Sequence, residues 1–195
     1  MNDSTSHTRE DPADLIRLAR DGDLSAFRSL VIRYQPYVYA LAFRVLGDPD
    51  DTADAVQDSF IRIWRNLARY RPGPKFTTWI YTITVNCCYD KQKMDARRNR
   101  VVDPGLADRL DDVPSPFSDP SLLAEQSDLK EKILSAASLL PPAERLVFHL
   151  RDLCDCTVEE VAEIAGMSPG TVRTNLCLAR KRLRLALVRL EDQHT

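Results

Sequence analysis

No run of ~18 apolar residues occurs anywhere in the chain, so no membrane-spanning helix is expected. The first residues, MNDSTSHTRED, are polar and lack the apolar stretch of a signal peptide, which points to a cytoplasmic protein. Net charge is nearly absent: 27 basic against 29 acidic residues leave a formal charge of −2. A uniformly basic nucleic-acid scavenger is thereby excluded, and charge can act only by being segregated along the chain. The five cysteines are odd in number and would be reduced in that compartment. His149, Cys154 and Cys156, with Cys177 as a possible fourth ligand, do not match the usual zinc spacing, so they are expected to be ordinary helical and core positions and no metal or other cofactor is implied. There is no glycine-rich phosphate loop, no nucleophile paired with a base and no convergent pair of carboxylates, so an enzyme is not expected.

What the chain does have is concentrated between Thr157 and Arg184: TVEEVAEIAGMSPGTVRTNLCLARKRLR. Thr157 and Glu160 form a capping box at the start of a helix whose apolar side is Val158, Val161, Ala162 and Ile164. Gly166 stands where a sharp turn requires positive φ. Ser168 then caps a second helix, with Pro169 at its first position. A small residue at Ala162, a glycine at Gly166 and an apolar residue at Val172 have the spacing of a DNA-binding helix-turn-helix. Val172, Leu176, Ala179, Leu183 and Leu190 share one face of the second helix, which is expected to pack inward. From Ser168 to Arg189 the basic residues are Arg173, Arg180, Lys181, Arg182, Arg184 and Arg189, and no acidic residue intervenes. A merely solvated helix usually mixes signs, so this pattern favours a nucleic-acid reader.

Upstream, residues 1–10 read as disordered, and residues 11–100 as a helical module. Asp11-Pro12 starts a short helix. A longer one follows Asp23 and runs to Gly47, with Pro36 inside it expected to kink it or break a turn. The third helix has a core stripe of Ala53, Val56, Phe60, Ile63, Trp64 and Leu67, and an acidic side of Asp51, Asp54 and Asp58 with Gln57 at its border. Those carboxylates suit the helix dipole and equally make a strip for a basic partner helix. After a loop with Pro72 and Pro74, a fourth helix from Phe76 is expected to bury Phe76, Trp79, Ile80, Ile83 and Cys87, leaving Thr78, Tyr81 and Thr82 to face elsewhere. Its basic end carries Lys91, Lys93, Arg97, Arg98 and Arg100. These residues suit the C-terminal dipole or, with the aromatics, a track for a single strand. Residues 101–120 hold Pro104, Pro114, Pro116 and Pro120 among five aspartates and read as a linker, able to span ~70 Å when extended. Residues 121–190 form the second helical module. The expected fold is all-α: two small helical domains joined by a flexible acidic linker, the C-terminal one a helix-turn-helix.

The blocks DAVQDSFIRIWRN (Asp54–Asn66), FTTWIYTITVN (Phe76–Asn86) and LLPPAERLVFHLRDL followed by the helix-turn-helix resemble, in this order, bacterial extracytoplasmic-function (ECF) RNA polymerase sigma factors. The resemblance covers about residues 12–98 and 121–188. It implies a factor that joins core RNA polymerase and directs it to promoter DNA. Asp51, Asp54, Gln57, Asp58 and Phe60 would then bind the polymerase clamp helices. Arg71, Lys75, Phe76, Thr78, Trp79, Tyr81 and Asn86 would open the −10 element and capture a flipped base, with Lys91, Lys93, Arg97 and Arg98 holding backbone near the melting point. Ser168, Thr171, Arg173, Thr174, Asn175, Arg180, Lys181 and Arg184 would read or grip the −35 element, Arg173 being the best candidate for base edges. The second module would also grip the polymerase flap. The family commonly has a glycine before the helix-turn-helix, where this chain has Asp155-Cys156, so that turn is expected to differ. Leu178, Leu185 and Val188 lie off the inward face and would suit an anti-sigma partner. The competing functions are a free-standing helix-turn-helix regulator acting without polymerase and a helical adaptor that binds protein only.

Overall fold

The computed structural model describes residues 12–71, 75–102 and 133–192, except for the side chains at 96–102 and 189–192. The expectations for residues 1–10, Asp11, the Pro72–Pro74 turn, the linker from 103 to 120 and the helix opening at 121 fall outside those residues. So do the side chains of Arg97, Arg98 and Leu190.

Among the described residues every regular element is helical. Helix α1 (Pro12–Arg20) and α2 (Leu24–Leu46) are joined by a turn at Gly22, and α3 (Pro49–Asn66) leads through a short 3-10 turn into α4 (Phe76–Val102). The second module has α5 (133–138), α6 (Pro142–Phe148), a π-helical turn (His149–Leu153), α7 (Val158–Ala165) and α8 (Pro169–Asp192).

Local chemistry sets these boundaries. Asp23 accepts from the Ser25 and Ala26 N–H groups at 2.8 and 3.1 Å, starting α2. Asp48 accepts from Asp51 N–H at 2.9 Å, starting α3. Gly47 ends α2 at φ 78, where only glycine avoids a steric penalty. Pro36 does not break α2, which continues through it. Packing on α3 and α4 outweighs the single hydrogen bond that proline removes.

The buried stripe of α3 is rotated from the expected one. Thr52, Ala55, Val56, Ser59 and Ile63 are buried, whereas Ala53 is exposed and Phe60 and Trp64 are half-buried. The two hydroxyls are accommodated because each bonds the carbonyl one turn back, Thr52 to Asp48 and Ser59 to Ala55, both at 2.6 Å. Burying them exposes Phe60 and Trp64 to a groove between α2 and α3.

The two modules are not independent bodies. One contiguous core runs from Leu41, Val38, Ile80 and Val85 of the first into Val147, Leu150, Val161 and Val172 of the second. Helix α7 packs on α4, and α6 packs on α2. A smaller cluster of Ala136, Ala137, Leu140, Phe148, Ala179 and Leu183 ties α5 and α6 to α8.

Candidate nucleic-acid interface

The helix-turn-helix forms as its capping residues dictate. Thr157 Oγ1 accepts from Glu160 N–H at 3.2 Å, and Glu160 Oε2 accepts from Thr157 N–H at 2.7 Å. Gly166 turns the chain at φ 64, and Ser168 Oγ accepts from Thr171 N–H at 3.1 Å to start α8. Val172, Leu176, Ala179 and Leu183 are buried as their spacing required. The preceding turn is built by Asp155 at φ 52, a left-handed conformation that costs a non-glycine residue about 1 kcal/mol.

The outward face of α8 presents Ser168, Thr171, Arg173 and Thr174 to solvent, with Asn175 half-buried. Arg173 is lightly held, 3.6 Å from Glu159 with both side chains exposed, a pair that solvent screens. Lys181 and Arg184 are exposed further along. Arg180 is engaged differently. Its Nε and Nη2 donate to both oxygens of Asp152 at 3.0 and 2.6 Å, a bidentate pair that fastens α8 to the π-helical turn. Asp152 raises the Arg180 guanidinium above its ordinary pKa. Arg182 lies 3.4 Å from the buried carboxylate of Glu144. The flank of α8 is therefore partly tied to its own module, and the end nearest Ser168 is the unencumbered part.

The face of α4 is arranged otherwise. Phe76 is 7% exposed and sits in an aromatic cluster, its ring 5.2 Å from Tyr70, 5.6 Å from Tyr34 and 5.7 Å from Trp79. Trp79, half-buried, is 5.1 Å from Tyr70, so both aromatics serve the module's packing. Thr78 and Tyr81, expected to face away from the core, are 1% and 5% exposed. What covers them is the second module. The Thr78 hydroxyl donates to Glu160 Oε1 at 3.3 Å, Lys75 Nζ lies 3.2 Å from the same oxygen, and the Tyr81 hydroxyl lies beside the Cys154 thiol. Burial and the adjoining Cys154 push Tyr81 well above the ordinary phenol pKa. Burial also pushes the Cys156 thiol up to about 12. Arg71, Lys75, Asn86 and Lys93 remain exposed.

Lys91 is half-buried and bridges Asp51 and Asp54 at 3.0 and 2.8 Å, so it turns toward α3. Asp54 and then Asp51 hold its ammonium above its usual pKa. Arg62 makes a parallel link to Asp90 at 2.8 Å. Asp58 and Gln57 stay exposed beside a groove of about 740 Å³ between α2 and α3, walled by Leu24, Phe27, Val31, Phe60, Ile61 and Trp64.

Spacing could not reveal the second role of Glu160, because its partner Thr78 is 82 residues away. Nor could it reveal the edge where α2 meets α6. There Arg44 and Arg145 are both held below their ordinary pKa, Arg44 by burial and then by Arg145. His149, 6% exposed, has no hydrogen-bond partner on either ring nitrogen. Burial, then Arg44, lowers its pKa to about 4. Among the described residues no group of three or more His, Cys, Asp or Glu is placed to hold a metal ion, and no helix is long and apolar enough to cross a membrane.

The Sigma-70 region 2 model matches residues 30–99, and the Sigma-70 region 4 model matches residues 130–183, together more than half of the chain. The chain belongs to the ECF family of RNA polymerase sigma factors. It is 34% identical over 166 residues to the ECF RNA polymerase sigma factor SigE of Mycolicibacterium smegmatis, covering 84% of this chain and 63% of that protein. It is 32% identical over 171 residues to the ECF RNA polymerase sigma-E factor of Salmonella typhimurium, covering 86% of this chain and 89% of that protein. Its fold is shared with RpoE of Bartonella quintana, solved with the anti-sigma factor NepR (TM-score 0.68, 21% identity, 84% of this chain and 98% of that one). It is shared also with CnrH, solved with the cytosolic domain of CnrY (TM-score 0.60, 24% identity, 92% and 99%). As an ECF sigma factor the protein is a transcription initiation factor, a class not known for catalysis.

Proposed function

We propose that this sigma factor joins core RNA polymerase in the cytoplasm and anchors it on two promoter elements. The observation that carries the reading is the capped, solvent-facing start of α8, where Ser168, Thr171, Arg173 and Thr174 present donors on a helix with no acidic residue before Glu191. A helix in the major groove can direct Arg173 at a guanine edge, a contact worth about 1–3 kcal/mol of discrimination. Ser168, Thr171, Thr174, Asn175, Lys181 and Arg184 fit phosphate contacts that set the helix in register at the −35 element. Arg180, fixed by Asp152, positions α8 and reaches backbone at most.

The −10 element falls to α4. Arg71, Lys75, Asn86 and Lys93 supply an exposed polar and cationic edge for a strand, and Arg97 and Arg98 extend it along the sequence. Thr78 and Tyr81 would meet a flipped base, with Phe76 and Trp79 behind them as a rigid aromatic backing. No bond is broken, so strand opening draws on binding free energy, at a few kcal/mol for each base unstacked. Asp58, Gln57 and the groove beside Phe60 suit a polymerase helix with an apolar and a basic side. Asp51 and Asp54 take part if Lys91 releases them. The relatives solved with anti-sigma partners support a like partner here, with Leu178, Leu185 and Val188 offering exposed apolar contact on α8.

The test is reconstitution of the protein with core RNA polymerase on candidate promoters. Stable association and initiation at a defined start are expected. Absence of both would overturn the reading, and tight specific duplex binding without polymerase would favour a free-standing regulator.

A further inference from the structure

Where α2 meets α6 and the π-helical turn, three nitrogen-bearing side chains come together. Arg44 arrives from the last turn of α2, Arg145 from α6 and His149 from the turn that follows it. Arg44 and Arg145 are half-buried, and His149 is 6% exposed. Arg145 Nη1 donates to the Ser138 carbonyl at 3.1 Å, which fixes the guanidinium. Its Nε is buried with no hydrogen-bond partner, and so are both ring nitrogens of His149.

No acid balances them. Among the described residues no carboxylate is one of the groups that act on Arg44, Arg145 or His149; burial and the neighbouring cations account for all three. The carboxylates nearest in sequence are committed elsewhere. Glu144 faces Arg182 at 3.4 Å, Asp152 takes Arg180 in its bidentate pair, and Asp48 caps α3 through Asp51 N–H. Buried donors left unpaired cost free energy, and like charges drawn together out of water add to that cost. The core does not require the cations, since Val45 and Leu146 beside them already belong to it.

We propose that this edge is a binding site for a small phosphate-type oxyanion, held between Arg44 of the first module and Arg145 and His149 of the second. The donors set its chemistry. Two guanidinium groups offer forked N–H pairs that match a tetrahedral oxyanion, and their summed charge favours a dianion over chloride or a carboxylate. Neutral imidazole adds one N–H from whichever ring nitrogen carries the proton. The half-exposed arginines give the ion its way in from solvent, with His149 as the floor. The bound ion supplies the missing counter-charge and turns a repulsive edge into an attractive one.

The test uses the full chain, without polymerase or DNA. Thermal unfolding is followed in about 20 mM phosphate and in chloride of equal ionic strength, for wild type, Arg44→Met and Arg44→Glu. Wild type is expected to gain about 3 °C in phosphate, as a site filled to about ten times its dissociation constant would. Phosphate also stabilises proteins generally by exclusion from their surface, and that smaller part should persist in R44M while the specific gain is lost. R44E, which puts a carboxylate beside Arg145, should melt above wild type in chloride and show no specific gain. The imidazole signals of the three histidines give a second readout. Those that move on titration with phosphate should be the ones missing from His149→Phe. A phosphate gain of equal size in all three proteins, or in none, would overturn the site, and so would His149 signals that stay in place. A nucleoside monophosphate is titrated alongside. A gain matching that of inorganic phosphate marks a phosphomonoester site, and a gain confined to inorganic phosphate marks a site for the free ion.

Discussion

The two proposed nucleic-acid faces look alike in sequence, each a helix with basic residues and polar or aromatic neighbours, and they are in opposite states. The start of α8 is open, because that helix packs on one side only and its inward residues fall at regular spacing. The start of α4 is closed, because that helix packs against α2 and α3 on one side and α7 on another. On the proposed assignment, duplex DNA docks on α8 as it stands, whereas a strand reaching Thr78 and Tyr81 meets residues that are covered. A helix that buries residues all round carries no visible amphipathic stripe, so its functional face cannot be separated from its packing face by periodicity.

Acidification should have the largest effect, and it acts at the edge where α2 meets α6 rather than on either face. The unfolded chain protonates His149 near pH 6.5, while the folded protein resists until about 4. The neutral form is favoured in the fold, so stability is complete above pH 6.5 and falls as pH drops toward 4, by about 3 kcal/mol in all. His149→Phe should flatten that part of the stability–pH curve in urea titrations. If the slope survives in the variant, the unpartnered imidazole is not its source.

Arg173→Ala should cost about 1–3 kcal/mol of promoter affinity and relax preference at one −35 position, measured by binding to a set of single-base variants. Lys93→Ala should leave duplex binding by the free protein untouched. Should both variants weaken duplex binding alike, the distinction between an open duplex face and a strand face would fail.

Arg180→Ala sharpens the boundary on α8 itself. Its bond to Asp152 is partly exposed, so the expected loss of stability is about 0.5–1 kcal/mol with base preference unchanged. A shift in base preference would return Arg180 to the reading surface. Smallest of all, Asp155→Gly should raise stability by up to about 1 kcal/mol in thermal unfolding, because glycine adopts φ 52 without steric cost. A loss of stability there would mean that the Asp155 side chain contributes more than its backbone costs.

Much of the fold was legible because it is local. Thr157 with Glu160, Gly166, Ser168 and Pro169 define the helix-turn-helix through bonds spanning three or four residues, and the structure repeats them. The inward face of α8 followed from spacing alone. The candidate site was legible only in part. Lys91 read as a backbone contact and is paired with Asp51 and Asp54, and Arg180 read as a DNA contact and is paired with Asp152. Formal charge shows in a sequence, but the partner that neutralises it lies 28 to 40 residues away and is chosen by helix packing.

The sequence by itself determined the helices, their caps, the basic run of α8 and the order of blocks that marks a sigma factor, since each depends on neighbours within a turn or two. Only the tertiary structure decided that Thr78 and Tyr81 lie under α7, that Glu160 serves two modules, and that Arg44, Arg145 and His149 meet without an acid between them. These are encounters between distant segments. They are fixed by which apolar surfaces must be buried together, and no local spacing records them.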